Sequence, residues 1–310
     1  MKTLRPPQGF RTGNRHLVHG AGSRKKMSIH SKLRDYYTLT KPEVNLLILM
    51  TTSTGYWVAY RGVFHPAGLI NTLLGTLLVA SGTATLNQWM ERVWDAQMRR
   101  TVNRPLPAGR VTAREALVFG VSLSILGGLY LLATTNWLTA ALAISTLLSY
   151  LLIYTPLKRT TPLCTLLGAF PGAMPVLIGW TGASVKINAE AWLLFGILFL
   201  WQFPHFLAIT LMYREDYARA GYKMLPDFDA DGRFTRGEIV GVSLLLVLMT
   251  MLMERSQLMG LGIVSLAGLV FLCCVVQLSK ATSRRVSAGV LHASVLYLPV
   301  VLFVAAVFRS

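Results

Sequence analysis

Charged residues are scarce in this sequence, and acidic residues are scarcer than basic ones. Of 310 residues, 13 are Asp or Glu and 30 are Lys or Arg, so 14% are charged. Soluble domains usually carry about 25% charged residues, and the composition therefore argues against a soluble globular protein. The three cysteines lie in apolar stretches without metal-ligand spacing, which argues against a disulfide framework or a cysteine-based zinc site.

The sequence instead contains long apolar runs. We read nine of them, at about 43–61, 67–88, 112–132, 137–157, 163–182, 190–212, 237–254, 258–278 and 289–308. Each is close to the ~20 residues that a helix needs to cross ~30 Å of hydrocarbon. Because lipid cannot bond backbone polar groups, the sequence predicts an all-α polytopic membrane protein with nine transmembrane helices.

The net charge of +17 is unevenly distributed along the chain. Lys and Arg concentrate in the N-terminal segment and in alternate loops, at 24–34, 92–110, 158–159, 214–233 and 280–285. The other loops are nearly bare of them. This alternation follows the positive-inside rule, so we predict a cytoplasmic N-terminus and a C-terminus outside. It also argues against nucleic acid as the partner that the positive charge serves.

A polar segment follows the second apolar run. Asn87, Glu91 and Asp95 each lie four residues after the last, so they form one ridge along a helix. Arg99 is expected to extend that ridge by one turn. Pro105 then ends the predicted helix, because proline pushes the residue before it out of helical geometry.

Oxygen ligands at the mouth of a membrane helix suit a hard divalent cation such as Mg²⁺, which takes carboxylate and phosphate oxygens. The arginines that follow, Arg99, Arg100 and Arg104, would hold phosphates through forked hydrogen bonds. The alternative is a set of ordinary ion pairs, since Asp95 and Arg99 are spaced as an i,i+4 couple.

The loop after the fourth apolar run and the run that follows it carry two further signals. Lys158 and Arg159 lie at the predicted inner mouth, where they either contact phosphates or serve only as topology signals. Pro171 and Pro175 interrupt the fifth run and would free backbone carbonyls inside it. We therefore predict a broken helix beside a cavity.

The second polar constellation follows the sixth run. His205 lies within the run, and an ionisable residue in a membrane span is a functional-site candidate, although it can also be an ordinary hydrogen-bonded histidine. Asp216 lies eleven residues later, about 16 Å further along a helix. Five of the 13 acidic residues of the chain fall between 215 and 231. Two acidic segments at one membrane face, each beside arginines, predict one site for a polyanion and bound cations.

With both segments in view, the sequence resembles the UbiA-type intramembrane prenyltransferases, and within them the branch that farnesylates haem. The resemblance is carried by LNQWMERVWDAQMRRTVNRPLPAGR at 86–110, YTPLKRTTPLCTLLGAFPGAMPVLIGW at 154–180 and PHFLAITLMYREDYARAGYKMLP at 204–226. It implies nine helices around a central cavity. The resemblance runs from about residue 36 to the end, which predicts a transmembrane prenyltransferase domain at 36–310. Residues 1–35 lie outside it, and their basic, polar composition predicts a disordered N-terminal segment.

The resemblance assigns roles to individual residues. It implies that the catalytic residues are Asn87, Glu91, Asp95, Tyr213 and Asp216, and that all of these except Tyr213 ligate Mg²⁺. The residues expected to bind substrate are Arg99, Arg100, Arg104, Lys158, Arg159 and His205, with His205 as our own hypothesis for a haem anchor. Two departures from the family pattern stand out: Ala220 replaces a second carboxylate, and Tyr222-Lys223 replaces an isoleucine-proline pair.

The activity implied by the resemblance is farnesyl transfer from farnesyl diphosphate to haem B, with haem as substrate and Mg²⁺ as cofactor. The expected location is the bacterial inner membrane, and the expected partners are the lipid bilayer and a haem A synthase or a terminal oxidase assembly. Two alternatives remain at this point. One is a sibling prenyltransferase that acts on an aromatic quinone precursor, and the other is a non-catalytic haem carrier or transporter.

Overall fold

The computed structural model describes residues 29–62, 66–229, 231–280 and 283–308. Helices and connecting turns account for these residues, and none of them forms a strand. The α-helices are α1 (Ile29–Leu39), α2 (Pro42–Ala59), α3 (Pro66–Asp95), α4 (Ala113–Thr134), α5 (Trp137–Leu148), α6 (Thr155–Leu157), α7 (Cys164–Ala183), α8 (Ala189–Met212), α9 (Arg214–Arg219), α10 (Arg233–Met253), α11 (Leu258–Lys280) and α12 (Arg284–Val307). A π-helical turn, Ser149–Tyr154, joins α5 to α6. The predicted all-α fold class is confirmed.

Eight helical segments in the described part of the chain are long and apolar enough to cross a membrane. They are α3, α4, the stretch Trp137–Leu157, α7, α8, α10, α11 and α12. The first of the nine predicted spans corresponds to α2, which is helical but less apolar. Its Thr51, Thr52 and Thr54 hydroxyls donate to main-chain carbonyls three or four residues earlier, so their polarity is satisfied within the helix. The protein is an integral multi-pass membrane protein.

Close contact between α2 and α7 depends on glycine. A Cβ on Gly179 would lie 1.9 Å from the carbonyl oxygen of Thr52, and one on Gly55 would lie 2.1 Å from that of Val176. Small residues let membrane helices approach until their backbones touch, and dispersion contacts then hold them together. The two helices therefore pack backbone against backbone.

The predicted break in the fifth span is wrong. Helix α7 continues through Pro171 and Pro175 from Cys164 to Ala183. The carbonyls that lose their helical donors are those of Leu167 and Pro171, four residues before each proline. Helix α8 packs close to this stretch, where the Gln202 side chain donates to the Ala169 carbonyl at 2.8 Å. Proline is tolerated inside a membrane helix that is packed against its neighbours in this way.

The basic loops assemble at one end of the bundle. Helix α1 lies across this end, with Asp35 accepting from Arg110 at 2.9 Å and Lys32 donating to Glu115 at 2.6 Å. Glu115 also completes the capping box that begins α4 at Thr112. Since α1 begins at Ile29, it crosses the predicted boundary at residue 35, whereas residues 1–28 lie outside the described part.

We predict that Gly179→Ala destabilises the protein by about 1–3 kcal/mol, because overpacking would force α2 and α7 apart. The measurement is the free energy of unfolding by denaturant titration in mixed micelles. Gly241→Ala in α10 is the matched control, since no atom lies within 4 Å of the added Cβ. There the change from glycine to alanine in a helix should be neutral or stabilising. Equal effects of the two substitutions would contradict backbone contact at Gly179.

Candidate active site

The last two turns of α3 carry three polar side chains on one buried ridge. Asn87, Glu91 and Asp95 are 1%, 5% and 1% exposed. The ridge ends where the helix ends, at Asp95, so the expected extension of the helix to Arg99 is wrong. The chain turns back there, and Thr101 donates to the main-chain carbonyl of Asp95 at 2.7 Å.

The partner of Asp95 is also different from the one that the i,i+4 spacing favoured. Arg104 Nη1 donates to Asp95 Oδ2 at 2.7 Å, whereas Arg99 is exposed on the returning loop. The loop brings a residue nine positions away into contact with the carboxylate, which a continuous helix could not do. An arginine therefore lies directly beside the buried acid.

Glu91 is the centre of the hydrogen-bond network. Its Oε1 accepts from Lys158 Nζ at 2.8 Å and from the Tyr222 hydroxyl at 3.1 Å. Its Oε2 accepts from Asn87 Nδ2 at 2.9 Å. Burial disfavours a charged Lys158, but the Glu91 carboxylate and the neighbouring tyrosine hydroxyls together outweigh burial and raise the pKa of Lys158 above its usual value. Lys158 and Glu91 are therefore a buried, charged pair.

Asn87 links this network to two other elements. Its Nδ2 also donates to Thr155 Oγ1 at 3.2 Å, and Thr155 follows the π-helical turn Ser149–Tyr154. Its Oδ1 accepts from Lys41 Nζ at 2.9 Å. Wide helical turns such as the π-helical turn Ser149–Tyr154 recur at functional sites. This turn also places the Tyr154 ring 4.4 Å from Lys158 Nζ.

Lys41 is a site residue that sequence reasoning missed. The sequence signal was weak, since Lys41 only precedes a proline at the start of an apolar run. Burial, and after it the positive charge of Arg104, lower the pKa of Lys41 to about 7. Glu91 and Asp95 act in the opposite direction and raise it.

The second acidic segment packs against the loop that follows α3. Asp216 on α9 is 8% exposed and accepts from Arg219 at 2.9 Å. Its other oxygen accepts from the main-chain N–H of Arg100 at 3.4 Å. The Arg100 guanidinium lies over the Tyr213 ring at 5.0 Å and donates to the Tyr217 hydroxyl at 3.0 Å. The two acidic segments therefore meet at one end of the bundle.

The departures at 220–223 lie inside this junction. Tyr222 is buried, and both burial and the charge of Glu91 raise the pKa of its hydroxyl, which keeps it protonated as a donor to Glu91. The main-chain N–H of Lys223 donates to the Lys158 carbonyl at 2.8 Å. Ala220 packs in an apolar cluster with Met98 and its neighbours. The family pattern predicted no role for Tyr222, whereas the fold connects Tyr222 to Glu91.

Two predicted substrate-binding residues lie apart from the carboxylates. The Arg159 guanidinium is exposed at the rim, 4.2 Å from the Trp94 ring. His205 contacts Ser294 Oγ through Nδ1 at 3.0 Å and stacks on Trp201 with ring centroids 4.5 Å apart. Since Ser294 belongs to α12, His205 lies between α8 and α12 and not in the carboxylate network.

The donor chemistry fits Mg²⁺, although the protein side chains do not form a closed cage. In the described part of the chain, no group of three or more His, Cys, Asp or Glu side chains could hold a metal ion. Mg²⁺ is commonly bound by one or two carboxylates together with substrate phosphates and water. Glu91, Asp95 and Asp216 supply such carboxylates, and each already has a cationic partner.

A groove with a volume of about 740 Å³ lies between α1 and α4. Its walls come from α1 and α4 and include Leu33, Tyr36, Val118 and Phe119. None of the predicted site residues lines it. This groove is therefore distinct from the central cavity that the family resemblance implies.

Comparison with known proteins gives the same fold and a specific set of relatives. The chain matches the UbiA prenyltransferase family over residues 48–307. It is 47% identical over 281 residues to a "Protoheme IX farnesyltransferase" of Solibacter usitatus (strain Ellin6076), covering 87% of this chain and 96% of that protein.

Two solved structures share the fold at low sequence identity. One, of a digeranylgeranylglyceryl phosphate synthase in membranes, has a TM-score of 0.74 at 18% identity and covers 90% of this chain and 99% of its own. The other is a UbiA homolog from Archaeoglobus fulgidus bound to GPP and Mg²⁺, with a TM-score of 0.61 at 14% identity, covering 87% of this chain and 99% of its own. They confirm the architecture expected from the resemblance.

The buried pair generates a stability prediction. Lys158→Met leaves Glu91 buried without its cation and should cost about 3–5 kcal/mol of unfolding free energy. Adding Glu91→Leu should recover most of that loss, because two apolar residues can replace a buried pair at little cost. Denaturant titration in mixed micelles measures both. Lys223→Met, an exposed side-chain change that keeps the main-chain N–H, is the control and should have little effect. A double variant as unstable as Lys158→Met alone would contradict the pairing.

Proposed function

The chain belongs to the UbiA prenyltransferase family, and from that premise we propose that it transfers a farnesyl group from farnesyl diphosphate to a vinyl group of haem B. The product is then haem O, with diphosphate released. One structural observation carries the proposal: the acids of α3 and α9 meet at one end of the bundle, each beside a basic residue. The 47% identity to a protein named protoheme IX farnesyltransferase supports the choice of acceptor.

The reaction begins at the allylic C–O bond of farnesyl diphosphate, which breaks with its electron pair leaving on the diphosphate. Positive groups that face the leaving group stabilise the charge that develops there. Arg104 and Lys158 lie beside Asp95 and Glu91 and are placed for this role. Arg100 lies beside Asp216 and stacks on Tyr213, and Arg99 and Arg159 lie at the rim of the same face.

Mg²⁺ would supply further positive charge to the diphosphate when bound. Asn87, Glu91, Asp95 and Asp216 are the residues that we assign to hold it. Glu91, Asp95 and Asp216 are paired with Lys158, Arg104 and Arg219, and a bound metal would leave these three cations available to the diphosphate. Since Ala220 stands where a second α9 carboxylate is expected, Asp216 is the main acid from this segment.

The farnesyl carbon that loses diphosphate is attacked by the terminal carbon of a haem vinyl group. The cation left beside the porphyrin takes up water and releases a proton, which gives a hydroxyethylfarnesyl side chain. Apolar helices protect the first carbocation from water. We assign His205 to anchor haem through Nε2, because Nδ1 is engaged by Ser294. His205→Ala should then weaken haem binding, and full retention of haem binding and turnover would remove this role.

We assign the site to the cytoplasmic face of a bacterial inner membrane. The basic loops gather at this face, and the positive-inside rule places such loops in the cytoplasm. With nine crossings, α2 and the eight segments named above, the C-terminus lies on the side opposite the N-terminus and therefore outside. The product would pass to a haem A synthase or to assembly of a terminal oxidase.

The deciding experiment supplies haem B, farnesyl diphosphate and Mg²⁺ to membranes from cells that express this chain, with membranes from cells without it as control. Chromatography with mass detection should show haem carrying a hydroxyethylfarnesyl group. EDTA should abolish the product and added Mg²⁺ should restore it. A parallel assay replaces haem B with an aromatic acid, and prenylation of the acid but not of haem would identify the chain as the sibling that acts on an aromatic quinone precursor. Haem binding without any prenylated product would favour the carrier.

Substitution of the acids tests the site itself. Asp95→Asn and Asp216→Asn should each lower the rate of farnesylation by about 100-fold or more, because a lost metal ligand costs several kcal/mol of transition-state stabilisation. Asp229→Asn is the matched control, since Asp229 accepts from the Thr235 main-chain N–H on a loop outside the network and asparagine can make the same bond. Unchanged turnover in the two site variants would remove these acids from the mechanism.

A further inference from the structure

Lys41 holds an unusual backbone conformation for its residue type. Its φ is 51°, and it is the one non-glycine residue with positive φ in the described part of the chain. Side chains with a Cβ adopt this left-handed region at a cost in free energy, and such strain collects at functional sites. The turn lies between α1 and α2, and the Lys41 carbonyl accepts from the N–H groups of Val44 and Asn45 at 3.1 Å each.

This turn directs the side chain into the carboxylate network. Lys41 Nζ donates to Asn87 Oδ1 at 2.9 Å. Asn87 in turn donates to Glu91, so Lys41 lies at the opposite end of the network from Lys158. The ammonium group therefore reaches the same site from a different helix.

The partner of Lys41 differs from those of the neighbouring cations. Lys158, Arg104 and Arg219 are each paired with a carboxylate, whereas the ion pairs of the described residues do not include Lys41. Its partner is the neutral amide of Asn87. A largely desolvated cation without an anion is costly unless the protein retains it to bind one.

We propose that Lys41 binds the diphosphate end of the prenyl substrate, and that the left-handed turn before Pro42 aims its ammonium group at that anion. This inference rests on the proposed function for the identity of the ligand class. A diphosphate supplies the anionic partner that Lys41 lacks in the protein. Lys41 is then a substrate-binding residue and not only a support for Asn87.

Three substitutions separate the possible roles of Lys41. Lys41→Gln keeps a donor that can reach Asn87 Oδ1 but removes the charge. Lys41→Arg keeps the charge. Lys41→Gly removes the side chain while relieving the backbone, because glycine adopts positive φ without strain, and it is therefore expected to fold even if the glutamine variant does not. Lys32→Gln is the matched control, since Lys32 is a basic residue at the same face that pairs with Glu115 outside the network.

The probe is inorganic pyrophosphate, with binding measured by calorimetry on purified protein in detergent, with and without Mg²⁺. Loss of one hydrogen bond to a charged group should weaken pyrophosphate binding about 10-fold to 100-fold in Lys41→Gln and Lys41→Gly. In the farnesylation assay, KM for farnesyl diphosphate should rise by a similar factor while KM for haem stays unchanged. Lys41→Arg should retain part of the affinity, and Lys32→Gln should match the wild type.

The outcomes distinguish this inference from the proposed function. If Lys41→Gln and Lys41→Gly bind pyrophosphate as tightly as the wild type while the wild type farnesylates haem, Lys41 only supports the turn and the inference is overturned. If the wild type makes no farnesylated haem but binds pyrophosphate in a Lys41-dependent way, the inference stands and the proposed acceptor fails. If Lys41→Gln and Lys41→Gly both fold, and each raises KM for haem and KM for farnesyl diphosphate by the same factor, Lys41 has a general structural role and the inference is overturned.

Discussion

The Glu91 carboxylate is the contact on which the rest of the site depends. Lys158, Tyr222 and Asn87 all donate to it, and they come from three different parts of the chain. A buried carboxylate must be matched by cations and donors or it destabilises the fold. Its pairing therefore fixes where the end of α6, the segment after α9 and the end of α3 lie relative to one another.

The acids and bases of the site are already matched within the protein. Arg104 pairs with Asp95 and Arg219 pairs with Asp216, as Lys158 pairs with Glu91. Such an arrangement keeps a charged cluster stable at the end of a membrane bundle. It is also suited to an exchange of partners, because a metal-bound polyanion offers positive charge to the acids and negative charge to the bases at the same time.

The bundle that carries this site is held by close helix contact and not by a polar interior. Backbone contact between α2 and α7 at Gly55 and Gly179 leaves no room for a methyl group. Lys41 lies directly before α2, and Asn87 lies on α3, so the position of α2 in the bundle also sets the distance between Lys41 and Asn87. A small shift between helices would change that distance directly.

Hydropathy and helical periodicity along the chain were enough to predict the fold class, the approximate positions of the spans and the shared ridge of Asn87, Glu91 and Asp95. The alternation of basic loops also predicted that the two acidic segments lie at the same face of the membrane. The two prolines in α7 predicted a break that is absent, because a packed membrane helix can continue through proline. The pairing of Asp95 with Arg104, the link from Tyr222 to Glu91 and the strained turn at Lys41 were decided only by tertiary structure, because each joins residues whose proximity depends on how separate helices and loops pack.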